Sequence, residues 1–360
     1  MKINQLELSE FRNYESLSVQ FDEAVNILYG DNAQGKTNVL EAIYLCGTTK
    51  SHKGSKDKEM IRLSSEESHI RMQIEKAGIP HRIDMHLRKN KAKGIAIDGV
   101  PIKRSSELMG LLHIVFFSPE DLSMIKNGPG ERRRFIDLEL CQLDMSYLYH
   151  LGNYNKAVNQ RNNLLKQIGF QRDLRDTVEV WDMQLIEHGS VVIDTRKRFV
   201  AELNELLPQI HAKLSGGREE LYVRYEPNVG KEDFGQKLAV NLDRDLALKA
   251  TGNGPHRDDI SFYVGDKNLK LFGSQGQQRT AALSLKLAEI ELVRKKIKES
   301  PVLLLDDVLS ELDRNRQTYL LESITDLQTI ITCTGLEEFV DNEKQHHKIF
   351  HVTEGVLSEA

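Results

Sequence analysis

Cysteines, long apolar runs and excess positive charge are all scarce in this 360-residue sequence. Its three cysteines, Cys46, Cys141 and Cys333, lie far apart, which excludes a readable disulfide framework or zinc knuckle and suits a reducing compartment. No apolar run reaches the roughly 18 residues that a membrane span needs. The first residues also lack the basic-then-apolar pattern of a signal peptide. We therefore expect a soluble, cytoplasmic protein that does not enter a membrane.

The charges are nearly balanced, with 49 lysines and arginines against 54 aspartates and glutamates, for a formal net charge of -5. This balance excludes a histone-like polycation but permits local basic surfaces. With 39% hydrophobic and 29% charged residues, the composition is that of a globular protein and is too apolar for disorder. At about 150 residues per domain, the length predicts two domains or one large, elaborated domain.

Hydrophobic periodicity divides the chain into three parts. Residues 1–125 show the alternation typical of strands, with one helical pattern, whereas 126–215 repeat apolar residues every three or four positions, as amphipathic helices do. Strands and a long helix return in 216–360, where 329–331 is the last predicted strand and a short tail follows. The pattern predicts an α/β domain, built from both ends of the chain, with an inserted antiparallel helical subdomain.

One segment matches a known phosphate-binding pattern in full. Residues 30–37, GDNAQGKT, fit G-x-x-x-x-G-K-[ST], with an apolar strand before them and a helical pattern after them. Backbone N–H groups of such a loop surround phosphates, the lysine reaches the β- and γ-phosphates, and the threonine hydroxyl binds Mg²⁺. The pattern predicts a nucleoside triphosphate site. The predicted binding residues are Gly30, Asp31, Asn32, Ala33, Gln34, Gly35, Lys36, Thr37 and Asn38.

A second carboxylate-bearing segment completes this site. Residues 301–307, PVLLLDD, form an apolar run that predicts a strand buried on both faces of a parallel sheet, with two aspartates at the ligand-binding end. Asp306 is predicted to hold Mg²⁺, directly or through water, together with Thr37. Asp307 is predicted to orient and deprotonate the attacking water. The predicted catalytic residues are therefore Lys36, Asp306 and Asp307.

A third segment, FGSQGQQR at 272–279, precedes a long helical pattern. Ser274 is a favourable N-cap, and Gly276 with the first-turn amides could meet a γ-phosphate. By itself the segment fits a plain helix cap equally well. Its position before Asp306, with one helix between, favours the nucleotide role, and its Ser-Gln-Gly-Gln is similar to the Ser-Gly-Gly-Gln signature of ABC-type ATPases.

These motifs together resemble the SMC-like, ABC-type ATPases, and among them the RecF family most closely. The resemblance covers essentially the whole chain, with a short helical insertion where larger relatives carry a coiled coil. Further motifs that support it are FRNY at 11–14, FFSPEDL at 116–122, GERRRF at 130–135 and GPHRDD at 254–259. The resemblance implies an ABC-type ATPase head with mixed sheets around a phosphate-loop core and an inserted helical arm.

The resemblance also implies function. Members of this family are cytoplasmic, weak, DNA-stimulated ATPases of recombinational repair and replication restart that support SOS induction. They act with RecO and RecR to load recombinase at gaps or at junctions of single- and double-stranded DNA. ATP and Mg²⁺ are bound between two identical subunits, so Ser274, Gly276 and Gln277 would face the partner's nucleotide. Arg12 and Asn13 would lie near the nucleotide of their own subunit.

Departures from the transporter pattern bear on the rate of hydrolysis. The usual switch histidine is missing after the last predicted strand, where Thr332 or Thr334 could take its place. Ser118 and its neighbours occupy the region of the usual Q-loop glutamine, and Asp307 replaces the more common glutamate. These differences predict slow hydrolysis and hence a switch rather than a fast motor.

Two other functions are considered. The ATPase subunit of a membrane transporter is the main alternative, but 239 residues separate Gly35 from Ser274, which is longer than expected for it. A nucleotide kinase with a helical lid would leave Ser274 and its neighbours unexplained. Basic clusters at 50–58 and 88–93 are candidate DNA contacts, or else solvated loops.

Overall fold

The computed structural model describes residues 1–122, 124–168, 172–217, 219–336 and 347–360. It divides into two compact units: the first is Met1–Leu122 with Lys286–Ala360, and the second is Ser123–Leu285. The second unit thus continues past residue 215, so the three-part division at 125 and 215 remains a prediction. No helix within the described ranges combines the length and the apolar character needed to cross a membrane.

The secondary structure follows the chain in this order. The elements up to residue 143 are β1 (Lys2–Phe11), β2 (Tyr14–Gln20), β3 (Val25–Tyr29), α1 (Lys36–Thr48), α2 (Asp57–Met60), β4 (Glu67–Lys76), β5 (Ile79–Arg88), β6 (Lys91–Ile97), β7 (Val100–Pro101), β8 (Ile114–Phe117), α3 (Pro119–Leu122) and α4 (Pro129–Leu143). The later elements are α5 (Met145–Ile168), α6 (Val178–Ser215), β9 (Leu221–Glu226), α7 (Phe234–Val240), α8 (Leu242–Leu248), β10 (Asp259–Val264), β11 (Lys267–Asn268), α9 (Leu269–Phe272), α10 (Gln275–Ile297), β12 (Val302–Asp306), α11 (Arg314–Ser323), β13 (Thr329–Cys333), β14 (His347–Thr353) and β15 (Val356–Glu359).

An antiparallel sheet in the first unit has the strand order β2-β1-β4-β5-β6-β7. Alternating residues of β4 are buried and exposed, because one face of the sheet packs on the core and the other meets solvent. Asp98 and Gly99 both have positive φ and join β6 to β7, as expected for a tight hairpin turn. The predicted strands of this region are confirmed.

The second sheet of the first unit holds the predicted motifs, in the order β15-β14-β3-β13-β12-β8. Strands β14, β3, β13, β12 and β8 are parallel, and β12 is buried along its whole length. The phosphate-loop segment follows β3, and Asp306 ends β12. The carboxyl ends of parallel strands share one edge of a sheet, so this topology brings the two motifs to the same edge. The predicted phosphate-loop core with mixed sheets is confirmed.

The end of the chain corrects one prediction. The residues after 331 are predicted as a tail, but β14 and β15 form a hairpin there, and β14 pairs in parallel with β3. The register places His351 beside Tyr29, whose rings lie 4.8 Å apart. The tail prediction was wrong because the alternating pattern at 348–352 is short, and the pairing partner lies more than 300 residues away in the chain.

The second unit contains the predicted helices, and α5 and α6 are the longest of those before α7. It also contains a small antiparallel sheet with the strand order β11-β10-β9. Tyr154, Leu185 and Phe234 belong to one of its apolar clusters. Polar contacts hold α4 and α6 to the β9–β10 region. Arg132 donates to both carboxylate oxygens of Asp259, at 2.7 and 2.9 Å. The GERRRF and GPHRDD motifs therefore meet inside this unit.

Arg196 of α6 is the centre of a buried polar network in the same unit. Its side chain is 3% exposed and donates to Asp258 Oδ2 at 2.9 Å, to Asp137 Oδ1 at 2.8 Å and to the Pro255 carbonyl at 2.7 Å. The Tyr147 hydroxyl accepts a further hydrogen bond at 3.0 Å. Burial alone would lower the pKa of Arg196, but Asp137 and other acidic neighbours raise it well above its usual value. The network thus keeps a charged arginine inside the unit.

Candidate nucleotide-binding site

The phosphate loop has a backbone that requires glycine at two positions. Gly30 and Gly35 have φ of 146° and 119°, and Ala33 also has a positive φ of 64°. A Cβ on Gly30 would lie 2.4 Å from the Val352 carbonyl oxygen, and one on Gly35 would lie 2.6 Å from Asn13 Nδ2. Both glycines are therefore required by backbone angle and by space, which explains the fixed positions of the motif.

Lys36 begins α1 and is folded back over the loop. Its ammonium group donates to the carbonyl oxygens of Gly30 at 2.6 Å and Asp31 at 2.7 Å. Burial lowers the pKa of Lys36, while the carboxylates of Asp307 and Asp306 oppose that effect. The Lys36 ammonium group thus lies inside the loop, beside the N-terminus of α1. Its positive charge and the helix N-terminus both favour the binding of an anion there.

Asp306 is joined to the phosphate loop by a direct hydrogen bond. Thr37 Oγ1 donates to Asp306 Oδ1 at 2.8 Å, and Thr332 Oγ1 donates to the same oxygen at 2.8 Å. Thr332 Oγ1 in turn accepts from the Asp307 backbone N–H at 3.0 Å. Hydroxyl and carboxylate oxygens are the ligands that Mg²⁺ prefers, so the side-chain oxygens of Thr37 and Asp306 fit that ion.

Asp307 has a backbone conformation that is uncommon for a residue with a side chain. Its φ is 52°, and Ser310 Oγ donates to its carbonyl oxygen at 2.8 Å. Burial raises the pKa of Asp307 against the lowering effect of Lys36, and Asp306 raises it further. Such strain is held in place by surrounding contacts and is frequent at functional sites. The sequence predicted the position of this carboxylate but not its conformation.

Asn13 and Tyr14 support the loop from the turn between β1 and β2. Asn13 Nδ2 donates to the Gln34 carbonyl oxygen at 2.8 Å, and Asn13 Oδ1 accepts from Asn38 Nδ2 at 2.8 Å. The Tyr14 hydroxyl donates to the Gly35 carbonyl oxygen at 3.2 Å. The structure therefore places Asn13 and Asn38, both of which are predicted site residues, at the phosphate loop. Tyr14 was missed, although it is part of the FRNY motif.

Arg12 points away from the loop carbonyls and toward α1 and α2. It makes two hydrogen bonds to the Glu41 carboxylate, both 2.7 Å, and others to Ser55 Oγ and the Glu59 carbonyl oxygen, also 2.7 Å. Burial would raise the pKa of Glu41, but hydrogen bonds from Arg12 and Ser51 hold it below its usual value. In this conformation Arg12 neutralises a buried carboxylate. Its predicted place near the nucleotide remains a prediction.

The terminal hairpin is a second support that sequence analysis missed. The N–H groups of Glu354 and Gly355 donate to Gln34 Oε1 at 2.6 Å and to the Gln34 carbonyl oxygen at 3.1 Å. Both residues have positive φ and form the turn between β14 and β15. A glycine-containing turn between two short alternating runs was the available signal. The phosphate loop is thus held from both ends of the chain.

Ser274, Gly276 and Gln277 belong to the second unit, at the start of α10. The Ser274 hydroxyl accepts from the Gln277 backbone N–H at 3.2 Å, and Gln277 Oε1 accepts from the Ser274 N–H at 2.9 Å. These reciprocal bonds form a capping box. Ser274 and Gly276 are exposed, whereas Gln277 is half-buried and donates to Glu219 at 2.6 Å. The cap is present, and the helix N-terminus with Ser274 is open to solvent.

The structure distinguishes the two threonines considered in place of a switch histidine. Thr332 is buried and bonded to Asp306, whereas Thr334 is exposed. Strand β8 pairs with β12 so that Phe117 lies beside Leu305, and Ser118 therefore follows at the same sheet edge as Asp306. Ser118 itself bonds to Asp121.

The candidate DNA-binding clusters are partly neutralised within the first unit. Lys93 donates to the Thr49 carbonyl oxygen at 2.6 Å and to Asp57 at 3.0 Å. Lys89 pairs with Glu66 at 3.0 Å. These bonds give both lysines a role in the fold, and their contact with DNA remains a prediction.

A phosphate loop after β3, a buried strand β12 ending in aspartate, a capped helix α10 and an antiparallel side sheet define the fold of an ABC-type ATPase head. The family model "RecF/RecN/SMC N terminal domain" matches residues 2–358. The chain is 62% identical to "DNA replication and repair protein RecF" of Lachnoclostridium phytofermentans over 357 residues, covering 99% of each. It is 42% identical to the protein of that name from Clostridium perfringens over 360 residues, again covering 99% of each.

Solved structures agree with these sequence matches. Two structures of the recombination mediator protein RecF in the RecFOR pathway, described as RecF-ATPrS and RecF-ATP, have 33% identity and a TM-score of 0.93. They cover 99% of this chain and 98% and 97% of theirs. An Smc head bound to a winged-helix domain of ScpA, with a TM-score of 0.58 and 17% identity, shares the fold. The chain therefore belongs to the RecF family of RecF/RecN/SMC N-terminal domain proteins. The transporter alternative has no support among these matches.

Proposed function

We propose that this chain is an ATP-dependent DNA-binding protein of DNA replication and repair. The main support is the hydrogen bond between Thr37 and Asp306, which joins the phosphate loop to the acidic strand across 269 residues of sequence. Lys36 and Asp307 lie at the same sheet edge. The RecF-ATP relative, at 33% identity over nearly the whole chain, supports ATP as the nucleotide.

The chemistry follows from the groups present. Lys36 binds the β- and γ-phosphates and stabilises negative charge as it develops during hydrolysis. Thr37 and Asp306 would hold Mg²⁺, which would supply positive charge to neutralise the phosphates. Asp307 accepts a proton from the attacking water, and burial suits it to that role by raising its pKa. Aspartate is shorter than the glutamate common at this position, so we propose slow hydrolysis.

The nucleotide-binding site is completed by a second copy of the chain. Ser274 and Gly276 are exposed at a helix N-terminus, where a γ-phosphate from another subunit would be stabilised. Leu271 and Phe272 just before them are 71% and 72% exposed, which suits a surface that becomes covered. Asp313 caps α11, six positions after Asp307 in the sequence, and is proposed to belong to the same contact. ATP binding would thus drive dimerisation, and hydrolysis would reset it.

The molar mass in solution tests this dimer. Asp307→Asn is expected to bind ATP, hydrolyse it slowly and shift from monomer to dimer by light scattering only when Mg²⁺ and ATP are added. Adding Ser274→Arg to Asp307→Asn should leave a monomer that still binds ATP, because a long cation would block the partner's phosphate from the helix N-terminus. Ser146→Arg, at the exposed start of α5, is the matched control and should dimerise normally. A dimer that tolerates Ser274→Arg would refute the shared site.

The DNA and partner proteins belong to the same proposal. The solved relatives are described as recombination mediator proteins of the RecFOR pathway. We propose gapped or junction DNA as the ligand of this chain, and RecO and RecR as its partners in recombinase loading. Phosphate contacts by lysines and arginines would provide the affinity without base readout. Support for SOS induction would follow from that role.

DNA dependence of hydrolysis separates this function from a kinase or a transporter subunit. We expect ATP turnover to rise when gapped duplex DNA is added at about 50 mM salt, and the rise to disappear near 200 mM because phosphate contacts release counterions. The measurement is phosphate release with and without DNA across that salt range. Turnover that is equal with and without DNA at every salt concentration would contradict the DNA-binding role while leaving the ATP site intact.

A further inference from the structure

Three side chains with metal-ligating atoms converge on the exposed face of the antiparallel sheet. His69 on β4 lies directly opposite His86 on β5, and Glu67 is two residues before His69 on the same face. One ligand atom from each lies within 4.8 Å of the others. Within the described ranges this is the one group of three or more histidine, cysteine or carboxylate ligands so arranged. Neither the phosphate-loop site nor the α10 N-terminus includes these residues.

The carboxylate of Glu67 is shared between the two imidazoles. Its Oε2 lies 2.8 Å from His86 Nε2, and its Oε1 lies 4.0 Å from His69 Nε2. The rings are stacked, with centroids 4.1 Å apart and an angle of 21° between planes. Directly opposed residues of an antiparallel pair have Cβ atoms about 4.5–5.5 Å apart, and a long side chain reaches the diagonal neighbour. The strand pairing therefore holds all three groups together without a loop.

Small residues on both sides leave space beside the histidine pair. Ser9 on β1 pairs with His69, and Gly94 on β6 pairs with His86. These positions line a groove of about 700 Å³ on this face of the sheet. A cation held by the three side chains could therefore take a water molecule as a fourth ligand, because no large side chain occupies the neighbouring positions of the same row.

Two arginines near the three side chains make contacts with other groups. Arg71, on the same face, is bonded to Asp84 at 2.8 Å and lies 3.6 Å from Glu7, so its charge is compensated. Arg88, opposite Glu67, donates to the Ala92 carbonyl oxygen.

We propose that Glu67, His69 and His86 form a binding site for a divalent transition-metal ion, with Zn²⁺ as the reference ion. Two imidazoles and a carboxylate are a frequent ligand set for such ions, with bonds of about 2.0–2.2 Å. Tetrahedral geometry at those bond lengths places ligand atoms about 3.4 Å apart. Rotation of the terminal torsions, which are broad for histidine and glutamate, closes the present spacing. The bound ion would cross-link β4 and β5.

Calorimetric titration with ZnCl₂ tests the site on the untagged, chelator-treated full chain without nucleotide. We expect one Zn²⁺ per chain at this site and a loss of affinity of about tenfold or more in His69→Ala and in His86→Ala. His81→Ala is the matched control, because His81 lies on the same sheet and contacts a single carboxylate, Asp98, at 2.8 Å. It should bind Zn²⁺ as the wild type does.

A second readout distinguishes this site from metal bound at Asp306. Co²⁺ added to the wild type should give visible absorption bands of a nitrogen- and oxygen-ligated site, and both histidine variants should lose them while Asp306→Ala keeps them. His69 is exposed, His81 and His86 are half-buried, and His69 and His86 line a solvent-facing groove, so unfolding temperatures without metal should stay close to that of the wild type. Equal Zn²⁺ affinity in wild type, His69→Ala and His86→Ala, or no binding by the wild type, would overturn the proposal.

Discussion

Replacement of Lys36 with arginine is expected to lower kcat for ATP hydrolysis by about 100-fold or more. The ammonium group of Lys36 lies 2.6 and 2.7 Å from two loop carbonyl oxygens, a space shaped for a compact cation. A guanidinium group keeps the charge but is planar and longer, so it cannot take the same position. ATP-dependent dimerisation should fall in parallel. Steady-state phosphate release and light scattering measure the two effects.

Lys267→Arg is the matched control for this change, because Lys267 is an exposed lysine on β11 in the second unit. It should retain wild-type turnover. Circular dichroism should show that Lys36→Arg is folded. Wild-type hydrolysis in a folded Lys36→Arg protein would refute the assignment of the phosphate loop.

The largest effect on stability is expected from Arg196→Met. The substitution removes the cation that bonds to Asp137, Asp258 and the Pro255 carbonyl, and it leaves the buried Asp258 carboxylate without that cation. Breaking a buried ion pair by removing one partner costs about 3–5 kcal/mol. For a unit of this size that loss lowers the unfolding temperature by about 10 °C. Differential scanning calorimetry measures the change.

Arg198→Met provides the comparison on the same helix. Arg198 is exposed and makes a single hydrogen bond to Thr195 at 3.3 Å, so its loss should shift the transition by no more than about 2 °C. Similar unfolding temperatures for Arg196→Met and Arg198→Met would show that the buried network contributes little to stability.

The groups that act on phosphate could be predicted because each motif is short and its chemistry is local. Glycines at 30 and 35, a lysine and a threonine occur within eight residues, and Asp306 follows a recognisably buried strand. Their mutual contact, such as Thr37 with Asp306, follows from parallel strands sharing one edge. The same reasoning predicted which segments before and after these motifs are strands and which are helices.

The supports of the site could not be predicted in the same way, since they depend on contacts between distant residues. Tyr14 and Gly355 reach the loop through tertiary packing, and neither stands in a phosphate-binding motif. By contrast, the need for a cation beside Glu41 could have been inferred from the sequence. Glu41 lies within the apolar run at 39–46, where a buried carboxylate needs a cation, and Arg12 supplies it. The shared face of His69 and His86 also depends on strand register.

The contact between Gln34 and Glu354 determines when, during synthesis, the phosphate loop can gain its outer support. These residues are 320 positions apart, and a ribosome adding about 5–20 residues per second needs roughly 15–60 s to pass from the first to the second. For most of that interval the nascent phosphate loop lacks its acidic partner strand β12, and throughout it the loop lacks the support of Glu354. The second unit is complete earlier, once residue 285 has been added. The phosphate loop can therefore gain this support only after residue 354 has been synthesised.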